Sequence, residues 1–93
     1  RTVRLSDAAL ETLSIVAFRQ PVTRVEIETI RGVDSTGVLS TLIAHELVEI
    51  AGQRSVPGSP HEYVTTHAFL QRFGLASVDE LKQMTVGGET EKS

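Results

Sequence analysis

Ninety-three residues close a single core and no more, because so short a chain buries a modest share of its surface. At 40% hydrophobic and 23% charged residues the composition is that of a globular domain rather than a disordered or collagen-like chain. The absence of cysteine excludes a disulfide framework, a thiolate zinc site and a cysteine nucleophile, and a net charge of -3 lacks the basic excess with which nucleic-acid binders neutralise phosphates.

A cysteine-free chain suits a reducing cytosol. The apolar run around Ile15, Val16 and Ala17 is too short to span a bilayer or to act as a signal sequence, so a soluble cytoplasmic protein with no membrane partner is expected. The chain opens on Arg1 rather than methionine and is therefore expected to be a piece of something longer.

In chain order, Leu5 to Arg19 reads as a first helix, with Ser6 as N-cap, Asp7 in the first turn and Arg19 in the last, both favourable to the macrodipole. Gln20 and Pro21 end it. Thr23 and Glu26 have capping-box spacing and start a second, short helix carrying Val25, Ile27 and Ile30, which stops at Gly32. Asp34 or Ser35 then caps a third helix to about His45, with Val38, Leu39, Leu42 and Ile43 on its buried side. Two short helices joined by so brief a glycine-bearing turn form a helix-turn-helix.

Leu47 to Ile50 and Glu62 to Thr65 are rich in β-formers, and the proline and glycine segment Val56 to Pro60 turns between them, which predicts a hairpin wing. Thr66 caps a closing helix through Phe69, Leu70 and Phe73 that ends at Gly74. A second capping box, Ser77 to Glu80, opens a last turn around Leu81. The expected fold is α+β, a winged helix-turn-helix with a three-helix core, a two-stranded β-hairpin wing and short closing helices over residues 1–84. Residues 85–93 offer almost nothing to bury and read as a disordered tail.

That order of elements meets specific residues. The stretches Ala9-Leu10-Glu11-Thr12-Leu13, Arg19-Gln20-Pro21-Val22-Thr23-Arg24 and Glu26-Ile27-Glu28-Thr29-Ile30-Arg31-Gly32-Val33-Asp34-Ser35 resemble the C-terminal winged-helix domain of the segregation and condensation protein B (ScpB) family. So do Gly52, Pro57-Gly58, Pro60, Tyr63, Thr65-Thr66, Phe69-Leu70 and Phe73-Gly74-Leu75. The resemblance implies a non-enzymatic bacterial scaffold for chromosome condensation and segregation. Such a subunit forms a homodimer at full length, grips a segment of the kleisin subunit ScpA and through it serves the SMC ATPase. Family members carry two winged-helix domains, dimerise mainly through the first and need no cofactor; this chain looks like the second. It departs from the family in the wing, where Gln53 and Ser59 stand in place of arginines and Val64 in place of a glycine.

The residues themselves show no nucleophile elbow, phosphate loop or paired acid, and His45, His61 and His67 lack zinc-type spacing, so neither catalysis nor a metal is expected. The alternative reading is a winged-helix DNA-binding regulator. It finds little support, because no lysine or arginine occurs from Gly32 to Gln53, where a recognition helix needs base-reading side chains. Arg24, Arg31 and Arg54, with Arg19, offer at most a weak phosphate patch. Two features suit a protein partner instead. Leu10, Leu13, Val16 and Ala17 share one face of the first helix while Ile15 and Phe18 point away from it, either into the wing and closing helices or toward a partner. On the third helix, Gly37, Ser40, Thr41 and Ala44 recur opposite the apolar face as an uncharged strip of small residues, either a tolerated surface or a close-contact site.

Overall fold

The structure, a computed structural model, describes residues 4–74 and Asp79; the second capping box, the turn around Leu81 and the tail fall outside these residues. Three helices come first. In α1 (Asp7–Arg19) the Ser6 hydroxyl accepts from the Ala9 N–H at 3.1 Å, and Pro21, which has no N–H to donate, lies just beyond the last turn. In α2 (Arg24–Arg31) the capping box is complete: the Thr23 hydroxyl accepts from the Glu26 N–H at 3.2 Å, and the Glu26 carboxylate accepts from the Thr23 N–H at 3.0 Å. Gly32 ends this helix at φ 81°, a left-handed conformation that a side chain would strain.

Of the two cap candidates for helix α3 (Thr36–Ala44), the one whose side chain takes a backbone N–H is Asp34. Ser35 holds the N-cap position, but its hydroxyl caps nothing. The Asp34 carboxylate takes the Thr36 N–H at 3.3 Å and the Thr36 hydroxyl at 3.1 Å, while Glu28, from the preceding helix, takes the Ser35 N–H at 2.8 Å. The turn of the helix-turn-helix is thereby fastened by α2 itself, and Ser35 is fully buried beneath it.

Strands β1 (Val48–Gln53) and β2 (His61–Thr65) pair antiparallel as the wing. The register runs Val48 to Thr65 and Ile50 to Tyr63, then shifts between Ile50 and Gly52, so that Gly52 faces Glu62. The far edge of β2 is also occupied: Val22 and Tyr63 exchange backbone hydrogen bonds of 3.2 and 2.7 Å, which seats the wing on the segment before α2. Helix α4 (His67–Arg72) is capped by the Thr66 hydroxyl, which accepts from the Phe69 N–H at 3.0 Å and donates to the Glu46 carbonyl.

The core gathers Ala9, Leu13, Val16 and Ala17 of α1, Val22, Ile27, Leu39, Leu42, Leu47, Val48 and Phe69. Helix, helix-turn-helix, wing and closing helix thus form an α+β winged-helix fold. Two positions, Leu10 and Ile43, differ from the periodicity reading. Leu10 is 43% exposed, because the buried stripe of α1 is rotated toward Ala9 and Thr12. Thr12 is tolerated inside since its hydroxyl donates to the Ala8 carbonyl at 2.8 Å. Ile15, left open between the domain interior and a partner, packs half-buried against the core, because α1 touches α2, α3 and β2 and so needs a wide apolar arc. Ile43 is 38% exposed, α3 being anchored through Leu39 and Leu42 alone with Val38 half-buried.

Candidate partner interface and nucleic-acid face

The outer side of α3 carries Gly37, Ser40, Thr41 and Ala44, all exposed, on the side opposite buried Leu39 and Leu42. The strip is less polar than its composition, because the Thr41 hydroxyl turns back to donate to the Gly37 carbonyl at 3.2 Å. A side chain at Gly37 would meet no atom of this chain within 4 Å. Internal packing therefore does not explain a glycine in the first turn of α3, where it costs at most about 1 kcal/mol relative to alanine. Phe18 is half-buried and lies outside the core cluster, and Ile15 sits at the core margin.

Arg24, Arg31 and Arg54 of the phosphate-patch reading are each engaged within the domain. Arg24 grips Glu28 with both carboxylate oxygens at 2.9 Å, a pairing that raises its already high pKa, first through that hydrogen bond and then through the charge of Glu28. Arg31, with its side chain only 9% exposed, donates to Glu11 at 3.0 Å and to the Ser35 hydroxyl at 3.0 Å, so one guanidinium joins α1, α2 and the start of α3. Arg54 donates to Glu62 at 2.8 Å, to Glu26 and to the Pro21 carbonyl at 3.2 Å, fastening the wing to the N-terminal cap of α2. Glu62 and then Glu26 raise the pKa of Arg54, and in return Glu26 titrates below the usual carboxylate range, first because the Thr23 N–H donates to it and second because Arg54 does.

His45, His61 and His67 form no metal cluster: among the described residues no group of three or more His, Cys, Asp or Glu side chains converges. No helix among the described residues is long and apolar enough to cross a membrane. Ser59 of the wing adopts φ 43° beside Gly58 at φ 88°, which fits a tight hairpin tip. Sequence reasoning missed the role of Arg54, whose partners lie on α2 and β2, and missed the outward placement of Val25 and Ile30 on α2.

This geometry has clear relatives. The family model described as "Segregation and condensation complex subunit ScpB" matches residues 1–84. The chain belongs to the ScpB family. It is 52% identical over 80 residues to the segregation and condensation protein B of Lactococcus lactis subsp. cremoris, covering 86% of this chain and 43% of that protein. The crystal structure of ScpB from Mycobacterium tuberculosis superposes with a TM-score of 0.74 at 42% identity, covering 80% of this chain and 46% of that one. A conserved hypothetical protein from Chlorobium tepidum gives a TM-score of 0.70 at 43% identity over 73% of this chain and 42% of that one. The chain thus spans less than half the length of these relatives. Of the wing positions expected from the sequence to depart from the family pattern, Gln53 and Ser59 are exposed and Val64 is half-buried.

Proposed function

We propose that this domain is a non-enzymatic scaffold of the bacterial SMC-kleisin complex, cytoplasmic and associated with the nucleoid through that complex, and that it grips a segment of the kleisin ScpA. The observation that carries this reading is the match of residues 1–84 to a family described as a subunit of the segregation and condensation complex, since a subunit acts through what it holds. Homodimerisation belongs to the full-length protein, and residues 1–84 are the folding unit of the present chain. The α3 strip of Gly37, Ser40, Thr41 and Ala44 is the proposed contact face. It is flat, uncharged and open to close backbone approach, and it lacks the arginine, lysine, asparagine and glutamine side chains with which a recognition helix makes its bidentate contacts to bases.

Calorimetric titration of the purified cognate kleisin into this chain, with duplex DNA as a parallel ligand, tests the reading. Kleisin binding is expected. DNA affinity should be weak, indifferent to sequence and lost near physiological salt, because Arg24, Arg31 and Arg54 are already paired. A salt-resistant, sequence-selective DNA complex without kleisin binding would establish the DNA-binding regulator instead.

A further inference from the structure

Helix α2 turns most of its apolar side chains outward. Of Val25, Ile27 and Ile30 only Ile27 is buried, while Val25 is 59% and Ile30 48% exposed. The two are not isolated. With Pro21, Val22 and Thr29 they line a groove of about 350 Å³ whose charged members are Arg19, Glu26 and Arg54. A concave apolar surface rimmed by charge is the form of a docking site rather than of ordinary solvent-facing helix.

The rim is electrostatically lopsided. Arg54 and Glu26 are paired with each other, and Glu62 balances the wing side of Arg54. Arg19 makes no ion pair among the described residues. The groove therefore presents an apolar floor and one uncompensated cation. It is also preformed, since Arg54 ties the wing to the Pro21 carbonyl and to the α2 cap, so an incoming segment need not order its walls.

We infer that this groove is a second docking site for the protein partner, and that it takes an apolar segment bearing a carboxylate that meets Arg19. The inference rests on the scaffold reading and names the chemistry of the segment that the kleisin would supply. An apolar side chain seated against Val25 and Ile30 removes both from water, and the carboxylate supplies the missing countercharge to Arg19.

The test is calorimetry of the purified cognate kleisin against wild type, Ile30→Asp and Arg19→Glu at low salt, with thermal melting followed by circular dichroism. Both variants should bind at least tenfold more weakly. The deficit of Arg19→Glu should shrink at about 0.5 M salt, where exposed charges are screened. Melting should stay close to wild type, because neither residue belongs to the core. If Ile30→Asp melts early, Arg19→Glu decides alone, since it removes no apolar contact. Undiminished kleisin binding by the folded variants overturns the groove and leaves the scaffold reading standing. Failure of wild type itself to bind overturns both.

Discussion

Ile27→Ala tests how α2 is held in place. Ile27 is the only buried residue of that eight-residue helix and is fully excluded from water. Alanine removes three carbons, worth about 0.8 kcal/mol each in transfer free energy, or about 2.4 kcal/mol. If about 40 Å³ of the vacated space stays open, the cavity adds about 1 kcal/mol at roughly 24 cal/mol per Å³. The expected loss is therefore about 3.4 kcal/mol, a large share of the roughly 5–15 kcal/mol that a domain commands. With a urea slope of about 1.3 kcal/mol/M, the unfolding midpoint read by far-ultraviolet circular dichroism should fall by roughly 2.5 M. Val25→Ala and Ile30→Ala, on the same helix but exposed, should each stay within about 0.5 kcal/mol of wild type. A loss below about 1 kcal/mol for Ile27→Ala would refute the reasoning, and would mean that the ion pairs of Arg31 and Arg54, not burial, fasten the helix.

Three further outcomes follow from the same structure. Glu26→Gln keeps the capping acceptor but removes its charge; because the native carboxyl titrates below its ordinary value, wild type should be more stable than the variant at pH 7. That advantage should be lost in urea titrations as the pH drops below about 4.3 and through the depressed native pKa. Phe18→Ala should cost about 1–2 kcal/mol, less than a core aromatic because Phe18 is half-buried; a loss above about 3 kcal/mol would make it a core residue. Ala44→Arg should weaken kleisin binding at least tenfold, about 1.4 kcal/mol, and strengthen the residual attraction to duplex DNA; unchanged calorimetry with both ligands would remove the α3 strip as a site.

What could be read ahead in the sequence was governed by local chemistry. Ser6, Thr23 with Glu26, Gly32 and Thr66 mark helix ends because a cap is satisfied within three or four residues, and all four act as expected. The wing was legible for the same reason, its turn residues lying between two short β-rich runs. Residues whose roles depend on distant partners were not. Glu28 reads as a solvated carboxylate until the fold brings the Ser35 N–H to it, and Arg54 reads as a free cation until the hairpin returns Glu62 to its side. Leu10 was misplaced, and Ile15 left undecided, because helical periodicity gives relative angles but not the direction of the core, which is set here by the contacts of α1 with α2, α3 and β2. Of the candidate site, the α3 strip was visible as a pattern of small residues, whereas the groove on α2 was not, since Arg54 is brought to Pro21 and Val25 only by the return of the wing.

The arginine pairings bear on the choice between protein and nucleic acid more than net charge does. A paired guanidinium can meet a phosphate only by leaving or sharing its present partner. Here Arg31 would uncover a fully buried Ser35 and release Glu11, and Arg54 would release both Glu26 and Glu62. Each phosphate contact would therefore expose carboxylates next to the approaching anion, so gain and repulsion arise together. A protein segment meets no such penalty on α3, whose outer side is uncharged, nor in the groove between the end of α1 and α2, where Arg19 has no ion pair among the described residues. The side chains that would have made the fold a DNA reader are spent on holding its helices and wing together, and the surfaces left over are those a polypeptide can cover.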